Sequence, residues 1–266
     1  MLKTPTSSPL RTARLRGLTG LLILCWAVSF LQAADSAFRS PAPAQDKLKE
    51  AETLIRDIFK DDFKKSSPQD QLALASKLLD QGLATRDDPA ARYQLLCMAM
   101  ELASRAANLA TALRAVDALD ANFQVDSVKL KTKVLNDWER LAKTKEQFLE
   151  LFQNYLVLAE EAGAREDFAA ASSSALKAQQ HARSAQDMAL YARATKRAQD
   201  FQAKRTACDA VRPAREKLFE KPDDPEANLT LGKYFAVVLD DWEKGLPCLA
   251  KAGDAAWQSA AAADLA

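Results

Sequence analysis

The stretch FLELFQNYLVLAEEAG, residues 148–163, decides the fold class. Phe148, Leu151, Phe152, Tyr155, Leu156, Ala159 and Ala162 recur at three- and four-residue steps, which puts them on one face of a helix. A half-buried strand would instead alternate every second residue. Gly163 follows the stripe where a C-cap glycine is expected. On the N-terminal side, residues 126–142 give another helix, with Val128, Leu135, Trp138 and Leu141 on its apolar face. On the C-terminal side, residues 167–182 give a third, whose inward face is small: Ala171, Ala175 and Ala178.

Helical spacing continues toward both ends. A helix over 46–62 carries Ala51, Leu54, Ile55, Ile58 and Phe59. Ser66-Ser67-Pro68 and Asp87-Asp88-Pro89 each offer a capping side chain followed by proline in the first turn. The helices they start present Leu72, Ala75, Leu78 and Leu79, then Tyr93, Leu96, Cys97 and Met100. Asn108 marks a break before Ala112, Leu113, Val116 and Leu119. Residues 186–211 form a long helix with a narrow stripe of Tyr191, Ala194, Ala198, Phe201 and Cys208, predicted to be the most exposed. Pro213 should kink or restart it. The turn Pro222-Asp223-Asp224-Pro225 precedes two final helices around Tyr234 and Leu249. Short links between consecutive helices make them antiparallel neighbours, and one pair cannot bury its apolar face alone. The expectation is an all-α chain of antiparallel helical hairpins, roughly ten or eleven helices in all, stacked as an irregular α-solenoid.

Composition agrees. Glycine is scarce, at 7 of 266 residues, and no β-branched run competes with helix. Phe235 to Leu239, the nearest strand candidate, continues a helical pattern on both sides. A net charge of +1 gives no global pull toward nucleic acid. Charge is uneven locally: over residues 165–217, eleven Lys and Arg face six Asp and Glu, a difference of +5. Arg193, Lys196, Arg197, Lys204 and Arg205 concentrate it on the long helix, as a solvated face or a docking face for an acidic partner or an anionic envelope surface.

Residues 1–34 have the form of a secretory signal. Lys3, Arg11, Arg14 and Arg16 precede an apolar core over 18–31, and Ala33 and Ala34 offer a cleavage site. That core is shorter than the roughly 20 residues a membrane span needs. Residues 35–45, with Pro41 and Pro43, are expected as a flexible linker. The helical domain is then placed at 46–212 and a C-terminal helical unit at 213–266, with 260–266 resembling a helix cut in mid-pattern. The expected location is the periplasm, the cell envelope or outside the cell, without stable membrane insertion once the signal is cleaved.

Within the C-terminal unit, residues 225–252 resemble a tetratricopeptide repeat. Leu231-Gly232 and Phe235 match the first helix, Asp241-Trp242-Glu243-Lys244-Gly245 matches the turn into the second, and Leu249 and Ala252 follow at the expected offsets. Asn228 stands where the pattern has Trp, Gly245 replaces Ala, Leu249 replaces an aromatic, and one extra residue lengthens the unit. Two earlier segments echo it: Phe148, Leu151 and Tyr155 with Ala171, Ala175 and Ala178, and Tyr93, Leu96 and Met100 with Ala112, Val116 and Leu119. The echoes do not recur at the family period of about 34 residues. The texture of the chain also resembles helical regions of large exported proteins of planctomycete-type bacteria. The resemblance implies a TPR-like α-solenoid that binds a protein or peptide.

Residue types that carry chemistry are thinly spread. His181 is the one histidine, and Lys177, Gln180 and Arg183 beside it place it on a polar, solvated helix face. No HExxH or Cys/His cluster accompanies it. Ser172-Ser173-Ser174 lacks a nucleophile-elbow context and is expected as small packing residues. Of the four cysteines, Cys25 is in the leader, and Cys97, Cys208 and Cys248 are expected as small buried hydrophobes. The acidic pairs Asp87-Asp88 and Asp223-Asp224 precede proline, where capping accounts for them. Asp61-Asp62, Glu160-Glu161 and Asp240-Asp241 lie at helix edges. Asn228-Leu229-Thr230 is a glycosylation sequon whose Asn falls in a predicted helix. No catalytic, cofactor-binding or metal residues are assigned. The expected role is a non-catalytic protein–protein interaction scaffold of the bacterial envelope or extracellular space. The alternative is a helical accessory region that positions a catalytic or carbohydrate-binding module beyond residue 266.

Overall fold

The computed structural model describes residues 39–265. The leader expected at 1–34 lies outside them. Helix takes 79% of the described residues, no strand forms among them, and the helices pack against their neighbours. The chain is all-α. The elements are α1 (Gln45–Ile58), α2 (Lys60–Phe63), α3 (Pro68–Ala84), α4 (Pro89–Arg105), α5 (Leu109–Asn122), α6 (Ser127–Glu139) and α7 (Lys145–Ala164). They continue with α8 (Phe168–Ser184), α9 (Met188–Ala210), α10 (Arg212–Glu220), α11 (Pro225–Lys233), a π-helical turn (Tyr234–Val238), α12 (Trp242–Leu249) and α13 (Ala255–Asp264).

Short polar side chains start these helices. The side chains of Ser67, Asp88, Asn108, Asp126, Asp167, Asp187, Asp224, Asp241 and Asp254 each accept a backbone N–H of the first turn. Thr144 and Gln147 form a reciprocal capping box at α7. Each such cap is worth about 1 kcal/mol. Capping accounts for the acidic residues before Pro89 and Pro225, as expected, and also for Asp241.

Gly163 does not end α7. It lies inside the helix, and a Cβ there would sit 2.5 Å from the Phe201 ring. Its missing side chain admits that ring. The left-handed residue that ends the helix is Glu166, with φ 59°. The same turn recurs: Ala107 (φ 55°) precedes Asn108, and Gln186 (φ 56°) precedes Asp187. In all three, the capping residue donates its N–H to an alanine carbonyl five residues back, at Ala103 (2.9 Å), Ala162 (2.9 Å) and Ala182 (3.0 Å). Those alanines are fully buried. A closed helix end, a left-handed residue and the next cap are thus compressed into consecutive positions.

The segment expected as a linker is described from Arg39 onward, and its residues Arg39 and Ser40 are tied to the fold. Ser40 N–H donates to the Asn122 carbonyl (3.0 Å) and Ser40 O accepts from Gln124 N–H (2.8 Å). Arg39 pairs with Asp120 at 2.9 Å, and Asp120 also holds Arg165 at 2.9 Å.

One hydrophobic core runs from Ile55 to Phe201 and includes Leu78, Leu96, Val116, Leu135, Leu151 and Tyr155, all fully buried. Burial of a large apolar side chain is worth about 1.5–3 kcal/mol. α4 is central: it packs against α1, α3, α5 and α6, and Leu95, Leu96, Met98, Ala99, Met100, Leu102 and Ala103 are all buried. Two smaller clusters follow, Val211 with Leu231 and Tyr234, and Ala236 with Leu249 and Ala261. α9 ends at Val211, and Pro213 lies in the first turn of α10. Toward the C-terminus there are three helices and a π-turn where two helices were expected. The π-turn is closed by Leu239 N–H donating to the Tyr234 carbonyl, five residues back, at 3.1 Å. At the α11–α12 crossing, a Cβ on Gly232 would meet Leu249 at 2.7 Å and one on Gly245 would meet Ala236 at 2.7 Å. Among the described residues, no helix is long and apolar enough to cross a membrane.

Candidate functional site

The last turn of α4 brings polar side chains out of the core. Glu101, Ser104 and Arg105 alternate with the buried Met100, Leu102 and Ala103. They face Lys133 and Asp137 of α6, with Arg140 just beyond it, across a cavity of about 470 Å³ floored by Met100 and Val134. A second cavity of about 240 Å³ adjoins it, lined by Arg56 of α1, Phe63 of α2 and Leu74 of α3, and it shares Glu101 and Arg105 with the first. The two form one groove over α1–α4 and α6. Arg56 pairs with Glu52 (2.8 Å), Lys65 with Asp62 (3.2 Å) and Arg140 with Asp137 (3.6 Å). Glu101, Arg105 and Lys133 make no ion pair among the described residues. The groove therefore offers charged groups of both signs above an apolar floor, with its central charges not spent on internal partners. Nothing in the sequence marks it, because it arises where α4 and α6 meet.

His181 is placed differently from the sequence expectation. It is 3% exposed and stacks between Tyr155 (5.4 Å between centroids, 9° between planes) and Phe148 (6.2 Å, 16°). Its neighbours Lys177, Gln180 and Arg183 are adjacent in sequence, but the helical period sets it on the face of Ala171, Ser174 and Ala178. That spacing was the available signal. Glu139 lies beside the ring with Oε1 3.7 Å from Nε2, too far for a hydrogen bond. Glu139 accepts instead from Lys177 (2.9 and 3.0 Å) and from the Tyr155 hydroxyl (3.2 Å), which also reaches Asn136 at 2.9 Å. Neither ring nitrogen of His181 has a hydrogen-bond partner. Burial lowers the His181 pKa; Glu139 opposes this and Lys177 adds to it. The Tyr155 hydroxyl is pushed up, first by burial and then by Glu139. This arrangement packs a neutral imidazole and gives it no orienting hydrogen bond for proton transfer.

The other singled-out residues serve packing or pairing. Ser172 and Ser174 are buried on α8. Cys97, Cys208 and Cys248 are free thiols, partly buried, and burial pushes Cys97 up to about 12, far from a reactive thiolate. Glu160 pairs with Arg197, and Glu161 with Lys131 at 2.8 Å. Asn228 is buried, and its amide donates to the carbonyls of Pro222 (3.0 Å) and Asp224 (2.9 Å), so the sequon nitrogen is engaged inside the fold. Among the described residues no cluster of His, Cys, Asp and Glu is arranged to hold a metal ion. Compared with protein-family models, with curated proteins and with solved structures, the chain matches none.

Proposed function

We propose that the chain is a tetratricopeptide-like interaction scaffold of the bacterial envelope or extracellular space, and that it holds a protein segment in the groove over α1–α4 and α6. The observation that carries this is the pair of adjoining cavities sharing Glu101 and Arg105. An apolar floor with a few convergent polar groups is the ordinary make-up of a recognition groove. The glycine-mediated α11–α12 crossing supports the repeat-like character, and the π-turn supplies room for the extra residue that lengthens that unit. The basic, apolar leader over 1–34 supports export.

The test is site-specific photo-crosslinking in the native envelope, from Ser104 in the groove and from Leu176, which is exposed on α8. A defined adduct from Ser104, absent from Leu176 and lost in an Arg105→Glu, Lys133→Glu variant, is the expected result. Equal adducts from both positions, or an adduct indifferent to the charge reversal, would sink the groove as the binding site.

A further inference from the structure

We propose that Glu166 is a salt-sensitive latch that sets the position of the C-terminal helices against the rest of the molecule. Residues 39–211 and 212–265 meet through few polar contacts. Among the described residues, apart from the local Arg212–Asp209 pair, the side-chain ion pairs between them all end on Glu166. Its carboxylate accepts from Arg215 of α10 at 3.0 Å and from Lys244 of α12 at 3.5 Å. Both cations also lie over the Phe235 ring, each at 5.7 Å, and Arg215 over Tyr234 at 5.4 Å. One carboxylate thus gathers two helices and the π-turn that joins α11 to α12.

The backbone at this position makes the choice of residue informative. Glu166 is left-handed, a conformation that glycine adopts with less strain. The equivalent turns hold Ala107 and Gln186, and neither makes an ion pair. Beside the latch, Tyr234 lies under the Arg215 guanidinium and packs on Val211, the residue at which α9 ends and α10 begins. That contact acts as the hinge. The latch itself borders a cleft of about 300 Å³, lined by Glu166, Phe168, Phe201, Lys204, Leu239 and Lys244. Release of Glu166 widens it. Glu166, Arg215 and Lys244 side chains are 29%, 40% and 57% exposed, so dissolved ions reach and screen the pairs. This device is independent of the groove on α4.

Energy transfer in the full chain tests it, with labels on non-natural residues placed at the exposed Leu176 and Leu265. Raising NaCl from about 0.02 M to about 0.5 M, which cuts the screening length severalfold, should shift the transfer efficiency of the wild type. Glu166→Gln at low salt should already show the high-salt value and respond no further. Glu166→Gly, which relieves the left-handed strain while removing the carboxylate, should match Glu166→Gln in transfer efficiency without a lower melting temperature than that variant. A wild type indifferent to salt, or either variant retaining the wild-type efficiency and salt response, would overturn the latch.

Discussion

At the scale of single residues, His181 shows how one buried ring links folding to pH. In the unfolded chain its imidazole titrates near pH 6.5. In the folded chain burial between Phe148 and Tyr155 lowers that value, with Glu139 opposing and Lys177 reinforcing the shift. Below about pH 6.5 the unfolded state therefore binds the proton more readily, and stability falls as the pH drops toward the folded value; above it the full stability is present. His181→Phe keeps a flat ring in the stack and removes the titrating group. Denaturant melts at pH 7.5 and pH 5 should show a smaller acid-side loss in the variant than in the wild type. If the loss is unchanged, His181 is not its source. The residue was misplaced in the sequence because polar neighbours in the chain are not neighbours on the helix. Its distance of three from Ala178 and seven from Ser174, both buried, carries the correct assignment.

At the scale of elements, the starts of the helices were legible and some of their ends were not. Ser67, Asp88, Asn108 and Asp224 are short polar residues before apolar periodicity, and three of them precede proline, so the local chemistry that makes a cap is visible in the residue type. The left-handed ends are held by Ala107, Glu166 and Gln186, which do not advertise that conformation. Gly163 does advertise it, yet it is used for close packing against Phe201. Two demands, backbone freedom and absence of bulk, select the same amino acid, and only the neighbouring helix distinguishes them. Replacing Ala107 with glycine should accordingly raise stability by about 0.5–1 kcal/mol, because the left-handed strain of an L-residue is removed. Ala106 next to it has φ −76° and no such strain, so Ala106→Gly should lower stability. Urea melts of the two variants provide the check, and a destabilising Ala107→Gly would mean that the turn does not carry the strain its geometry implies.

At the scale of the whole molecule, the apolar clusters divide the work unequally. Apolar stripes made the large core readable in outline, since Leu78, Leu96, Val116, Leu135 and Tyr155 all came from helical spacing. The groove at α4 and α6 and the contacts of Glu166 join residues far apart in sequence, and no local pattern encodes them. The large cluster draws its buried members from Ile55 to Phe201, and none comes from beyond Val211. The two smaller clusters contain three buried residues each, and one of those is Val211 itself. α10 buries no residue. A chain ending at Val211 therefore keeps every buried member of the large core, while residues 212–265 alone keep only a few small contacts, well below what an isolated chain of that size needs. The truncated protein 39–211 should unfold cooperatively in urea, with far-UV circular dichroism showing a helical native baseline. The isolated 212–265 segment should show at most weak, non-cooperative helicity. A cooperative transition in the short segment would show that 212–265 folds on its own core, and its absence in the long one would show that the C-terminal helices are integral to the main core; either result would overturn the picture of an appendage held by Val211, Tyr234 and Glu166.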